Sequence, residues 1–240
     1  MKNILSTLEL ARKEQKKLLA VLIDPDKCHP EILDVINLSK VDFIFVGGSI
    51  ITQGNLQNTI LEIKKKTNKP VIIFPSNASH VCDDADAFLL LSLLSGRNPE
   101  YLVSQHVQAA PLLHQSSLET ISVSYILIDG GNKTSVAYIS NTQPIPADKP
   151  EIIWSTALAG QLIGHQLCYL EAGSGATHHV SEDSIKMVRA GLKLPILVGG
   201  GIRSAQTAKS IWDAGADCIV VGNAAESNAR LLQEISEVKY

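Results

Sequence analysis

Eight short runs of apolar or β-branched residues recur along the chain, at 18–23, 43–46, 71–74, 87–91, 125–128, 167–170, 196–198 and 218–221. They alternate little with polar residues, which marks parallel strands buried on both faces. Amphipathic stretches of helical period lie between most of them, among them 56–66, 155–165, 181–190 and 205–214. Strand and helix in alternation read as right-handed βαβ units. Eight units closing on themselves predict an α/β fold, the (β/α)8 TIM barrel, and 240 residues suit one such domain over 1–240. A doubly wound open sheet fits less well: it usually has fewer strands and an early glycine-rich turn, whereas the glycines here follow late strands. Only residues 75–86 separate the third and fourth runs. That is short for a helix with two loops, so this barrel position is expected to lack a full helix. Residues 132–150 are polar and hold Pro144, Pro146 and Pro150. They predict a long loop near the strand ends, suited to a mobile lid.

Charge narrows the partners. The balance of 21 basic and 24 acidic residues, net −3, builds no field for nucleic acid or an anionic membrane. An anionic substrate must then be held by a local site. Cys28, Cys82, Cys168 and Cys218 are scattered with no CxxC pair. They read as buried thiols in a reducing compartment, not as zinc ligands or disulfides. The first twenty residues read as helical and charged, through Arg12, Lys13, Glu14, Lys16 and Lys17. They lack a signal-peptide core, and no segment is long enough to span a bilayer, so a cytoplasmic protein is expected.

Three motifs carry chemistry. Gly199-Gly200-Gly201-Ile202-Arg203-Ser204 follows the seventh run, and Gly222-Asn223 follows the eighth. In barrels these two loops commonly bind phosphate. Without Cβ atoms the backbone approaches an anion and aims several N–H groups at it. A helix opening near Ser204 adds its positive end. Arg203 either adds a charge or points outward to a carboxylate. Asp24 ends the first run, at the rim where barrel active sites lie. A carboxylate there suits Mg²⁺, and Ser49 of Val46-Gly47-Gly48-Ser49 can bring a hydroxyl beside it. The bland alternative for Asp24 is a cap before Pro25, and Asp26 and Lys27 read as a solvated turn. Tyr169-Leu170-Glu171-Ala172-Gly173-Ser174-Gly175-Ala176 is the densest motif. Period two puts Tyr169 and Glu171 on one face. If that face is the barrel interior, Glu171 is a candidate general base; a structural ion pair is the alternative. Ser174 and Gly175 open a turn suited to hydroxyl or phosphate contacts.

Other polar clusters carry less. Asp83-Asp84-Ala85-Asp86 precedes a strand and reads as a solvated approach to it. His178-His179 reads as a surface loop, because adjacent residues diverge.

Together these motifs resemble the geranylgeranylglyceryl phosphate synthase family over nearly the whole chain. The matching segments are Leu22-Ile23-Asp24-Pro25-Asp26-Lys27, Val46-Gly47-Gly48-Ser49, Phe74-Pro75, 169–176, 199–203 and Gly222-Asn223. The first looks like the group that includes many archaeal enzymes; the bacillary branch carries a lysine where this chain has Leu22. The resemblance implies Mg²⁺ at Asp24 and Ser49. It implies a binding site for sn-glycerol 1-phosphate built from Tyr169, Leu170, Glu171, Ala172, Gly173, Ser174, Gly175, Gly199, Gly200, Gly201, Gly222 and Asn223. The implied reaction is transfer of a geranylgeranyl or similar prenyl group from its diphosphate to the glycerol hydroxyl, with a membrane-bound product. A homo-oligomer is implied as well. The competing enzyme class is a sugar-phosphate isomerase or aldolase with Asp24 and Glu171 as acid and base.

Overall fold

The computed structural model describes residues 3–29, 31–222 and 229–240. Eight parallel strands close into one barrel in chain order: β1 Leu18–Ile23, β2 Phe43–Gly47, β3 Val71–Phe74, β4 Ala87–Leu93, β5 Glu119–Leu127, β6 Leu167–Glu171, β7 Ile196–Gly199 and β8 Cys218–Val221. The ring is completed by β8 against β1, in the register Leu18↔Cys218 to Val21↔Val221. The doubly wound sheet is thereby excluded. Helices follow the strands on the outside: α2 Glu31–Leu38, α3 Leu56–Lys66, α4 Ser104–Gln115, α6 Pro150–Leu162, α7 Glu182–Gly191, α8 Ala205–Asp213 and α9 Ala229–Glu237. Earlier in the chain lies α1, Ile4–Glu14, and between α4 and α6 a short α5, Ser135–Ile139. Between β3 and β4 stands only the single 3₁₀ turn Ala78–His80, as the short spacing predicts. Among the described residues no helix is long and apolar enough to cross a membrane.

Strand parity sorts the core into two layers. Along β6, Cys168 and Leu170 pack outward under the helices, while Leu167 and Tyr169 face the barrel interior. The same alternation runs along β1, with Leu19, Val21 and Ile23 outside and Leu18 and Ala20 inside. The interior is thus a packed core and not a pore. Its lower end is closed by α1, whose Ile4, Leu8 and Ala11 join the interior cluster. Glu119, at the start of β5, holds that helix by accepting the Ile4 and Leu5 N–H groups at 2.6 and 2.9 Å. With the bottom plugged, the open end is the rim where the strands' C-termini lie.

Several expectations change. The N-terminal helix ends at Glu14, and Leu18 to Ala20 already belong to β1. The 132–150 stretch is no untethered loop. It carries α5, and Ile145 bridges back to β5, its N–H on Leu127 O at 3.0 Å and its carbonyl accepting the Asp129 N–H at 2.9 Å. Pro150, read as a loop residue, opens α6, where its missing N–H costs nothing. Of the four cysteines only Cys168 and Cys218 are buried; Cys28 and Cys82 are half-buried. Burial pushes the Cys168 thiol up to about 12, leaving it neutral and unreactive.

Candidate active site

A cavity of about 610 Å³ opens at the C-terminal rim, lined by residues of β1, β2, β3, β5, β6 and β8 and by the loops after β1, β2, β6, β7 and β8. Asp24, Ser49, Tyr169, Glu171, Ser174, Gly175, Gly200, Gly201 and Gly222 all line it. Leu170 and Ala172 belong by parity to the outer layer, so only their backbone is near the site. Gly173 and Gly199 stand just behind the wall. Asn223 lies outside the described residues.

Glu171 is the centre of the polar arrangement. It ends β6 with its side chain inward and only 7 % exposed. Its Oε1 accepts the Gly173 N–H at 2.6 Å, and the Tyr169 hydroxyl donates to the carboxylate. Burial raises its pKa to about 7, and these two donors oppose the rise. No ion pair to Glu171 is found among the described residues, so the structural salt bridge is not the reason for this glutamate. The carboxylate is therefore poised to exchange a proton near neutral pH. Tyr169 is fully buried and packs edge-on against Phe74 and Tyr125, with ring centroids 5.7 and 5.4 Å away. These rings form an apolar floor beside the carboxylate.

The triple glycine serves two purposes. Gly200 and Gly201 adopt φ of +85° and +70°, a conformation that other residues enter only with strain. A Cβ on Gly201 would sit 2.6 Å from the His178 carbonyl. A Cβ on Gly199 would meet the Tyr169 hydroxyl at 2.4 Å and Glu171 Oε2 at 2.8 Å. The last glycine of β7 thus makes room for the buried carboxylate, while the next two shape a turn of backbone N–H groups. Ser204 caps α8 by accepting the Thr207 N–H, and that helix end lies behind the turn. Among the described residues Arg203 reaches no carboxylate, nor does it stand free. Its Nη2 donates to the carbonyls of Ala176 at 2.7 Å and Gly175 at 3.4 Å, tying the β7 turn to the β6 turn.

On the opposite wall Asp24 is both cap and cavity residue. Its Oδ1 accepts the Asp26 N–H at 3.0 Å, and Oδ2 lies 3.6 Å from Lys27 Nζ. Gly48 packs beside it: a Cβ there would be in van der Waals contact with the Asp24 carboxyl group, 3.6 Å from its carbon. Ser49 follows directly. Asp24 and Ser49 offer hard oxygen donors, and no cluster of three or more histidine, cysteine or acidic side chains fit to hold an ion exists among the described residues. Such a sparse set suits a cation that keeps its waters and binds through substrate phosphates, as Mg²⁺ does.

Four features escaped the linear reading. Tyr125, Val136 and Phe74 line the cavity, and Asp26 is no solvated turn. Its carboxylate collects the N–H groups of Thr52, Gln53 and Gly54 and the Thr52 hydroxyl, which hold its pKa well below the usual carboxylate range. Tyr125 pairs with Tyr169 across β5 and β6, so strand parity alone could have found it. The discounted clusters remain structural: Asp86 accepts the Val71 N–H at 2.7 Å, and His179 contacts Glu182.

The PcrB family model matches residues 11–239 of this chain. The chain belongs to the PcrB family. It is 49 % identical over 230 residues to the geranylgeranylglyceryl phosphate synthase of Zunongwangia profunda, spanning 95 % of this chain and 98 % of that one. The synthase of the same name from Korarchaeum cryptofilum is 37 % identical, with 98 % of each chain covered. Among solved structures, (S)-3-O-geranylgeranylglyceryl phosphate synthase from Thermoplasma acidophilum in complex with sn-glycerol-1-phosphate superposes with a TM-score of 0.93. It is 36 % identical and covers 100 % of this chain and 99 % of its own. The PcrB family membership agrees with the resemblance carried by the motifs.

Proposed function

We propose that this PcrB-family chain is a Mg²⁺-dependent prenyltransferase. It joins geranylgeranyl diphosphate, or a similar long prenyl diphosphate, to sn-glycerol 1-phosphate and forms the ether-linked prenylglyceryl phosphate of lipid biosynthesis. The single observation that carries this reading is the make-up of the cavity. Glycine turns able to hold a phosphate, a buried carboxylate with a pKa near 7 and a hard-oxygen edge share one space.

The phosphate of sn-glycerol 1-phosphate is held by backbone N–H groups of the turns at Ser174–Gly175, Gly200–Gly201 and Gly222, with the α8 N-terminus behind them. Holding the anion there directs the glycerol hydroxyl toward Glu171. As that oxygen attacks the allylic carbon, the Glu171 carboxylate accepts its proton, and the carbon–oxygen bond to diphosphate breaks. Asp24 and Ser49 would hold Mg²⁺, which when bound neutralises the charge of the departing diphosphate. Phe74, Tyr125 and Val136 line the cavity with apolar surface that keeps water from the developing cation. The Tyr169 hydroxyl and the Gly173 N–H keep the base oriented.

The reading also includes a cytoplasmic homo-oligomer whose product enters the membrane. Exposed Val103, Val107 and Leu112 on or beside α4, and Leu162 and Ile163 at the end of α6, support assembly. Sedimentation at micromolar concentration should show a species heavier than 25.9 kDa; a lone monomer would remove that part.

The test is an incubation of sn-glycerol 1-phosphate with prenyl diphosphates of several lengths, with and without Mg²⁺. Ether product is expected only when both substrates and the cation are present. Turnover of sugar phosphates without a prenyl donor would favour the isomerase or aldolase class instead.

A further inference from the structure

We infer that Asp26 is a positioning residue for diphosphate binding, holding the Ser49 loop through its carboxylate and Asp24 through its backbone N–H. This rests on the reading of Asp24 and Ser49 as the diphosphate side of the cavity. Asp26 stands in the 3₁₀ turn Pro25–Lys27 directly after β1. Its Oδ2 accepts the Thr52 N–H at 2.8 Å and the Thr52 hydroxyl at 2.7 Å. Its Oδ1 accepts the N–H groups of Gln53 at 3.0 Å and Gly54 at 2.6 Å. Four donors from a loop 26 to 28 residues away thus converge on one side chain.

The contact is also tight at the backbone. A Cβ on Gly54 would lie 2.4 Å from the Pro25 carbonyl, so the two turns touch with no side chain between them. The segment bearing Ser49 leaves β2 at Gly47 and is pinned again five residues later, at Thr52. One end is fixed by the barrel and the other by Asp26. The Asp26 N–H in turn donates to Asp24 Oδ1 at 3.0 Å, fixing the carboxylate on the first strand. Asp24, Asp26, Ser49 and Thr52 all line the cavity. A carboxylate saturated by four donors has no lone pair directed at a ligand, so its work is to place its neighbours. The glycine turns of β6 and β7 share none of these contacts.

The experiment compares wild type, Asp26→Asn, Thr52→Val and Asp24→Asn by calorimetry. The probes are inorganic pyrophosphate with Mg²⁺, and sn-glycerol 1-phosphate. In Asp26→Asn the amide group faces donors on one side and the charge is gone. Pyrophosphate affinity should fall about tenfold, as loss of hydrogen bonds to a charged group implies. Affinity for sn-glycerol 1-phosphate should not change. In steady state the KM for the prenyl diphosphate should rise while the KM for glycerol phosphate stays put. Thr52→Val removes one exposed contact and should shift pyrophosphate binding less, in the same direction; it decides the matter where Asp26→Asn does not fold. Equal loss of both ligands in Asp26→Asn would overturn the positioning role in favour of a general structural one. Unchanged pyrophosphate binding in Asp26→Asn, with Asp24→Asn weakened, would overturn it too. Unchanged binding in both would overturn the underlying reading of the diphosphate side.

Discussion

Glu171 Oε1 takes the N–H of Gly173, two residues ahead in its own chain, at 2.6 Å. The strand end therefore turns back on its own carboxylate, which is buried yet keeps a pKa of only about 7. Burial alone disfavours the anion; the Gly173 N–H and the Tyr169 hydroxyl hold it within reach of neutral pH.

Glu171→Gln should lower kcat about a hundredfold and leave the KM for sn-glycerol 1-phosphate nearly unchanged. The amide keeps the Gly173 contact but cannot accept a proton. In wild type, kcat/KM should rise with pH through about 7, because the base is protonated below that value. The residual activity of Glu171→Gln should lack this step. A variant that keeps kcat and loses only affinity would make Glu171 a positioning group.

The same group links pH to stability. Its folded pKa of about 7 lies above the ordinary 4.5, so the folded state binds more protons between those values. Its stabilising contribution is fully present below 4.5 and is lost as pH rises through about 7. The loss is on the order of 3 kcal/mol. Glu171→Gln should therefore raise Tm relative to wild type at pH 8 more than at pH 5. An equal difference at both values, measured by calorimetry without ligands, would contradict the buried-anion account.

Two glycines of the same turn, Gly199 and Gly201, should fail in different ways. A methyl on Gly199 displaces Tyr169 and Glu171, so Gly199→Ala should lower kcat. Gly201→Ala must enter a left-handed conformation, costing about 1–2 kcal/mol, and also strikes the His178 backbone. It should raise the KM for sn-glycerol 1-phosphate at least about tenfold. Identical kinetic profiles for the two variants would argue against separate roles.

Asp24→Asn should abolish Mg²⁺-dependent turnover while melting like wild type. An asparagine oxygen can still cap the Asp26 N–H, so the turn survives the loss of charge. Normal Mg²⁺ dependence with a near-normal rate would remove Asp24 from the cation site.

Strand parity made much of this molecule legible. Buried parallel strands declare themselves as apolar runs, and period two along β6 put Glu171 beside Tyr169 on the inner face, where both are found. The missing helix after β3 followed from chain length alone. What stayed hidden depends on contacts between distant segments. Asp26 looks like a solvated turn until residues 52–54 are folded onto it. The 132–150 stretch looks untethered because its anchors, among them the bridge between Ile128 and Ile145 and the Asn98 amide on the Ser140 carbonyl, carry no periodic pattern to announce them. Gly199 looks like part of a phosphate turn, yet its lack of a Cβ serves the carboxylate next door.

The central claim is that one cavity unites a glycerol phosphate with a prenyl diphosphate. Product analysis after incubation with sn-glycerol 1-phosphate, radiolabelled geranylgeranyl diphosphate and Mg²⁺ tests it directly. The account predicts a labelled ether-linked lipid phosphate that disappears on chelation and in Glu171→Gln falls about a hundredfold in rate. Absence of any labelled ether with every prenyl chain length offered, from folded protein that still binds sn-glycerol 1-phosphate, would contradict it.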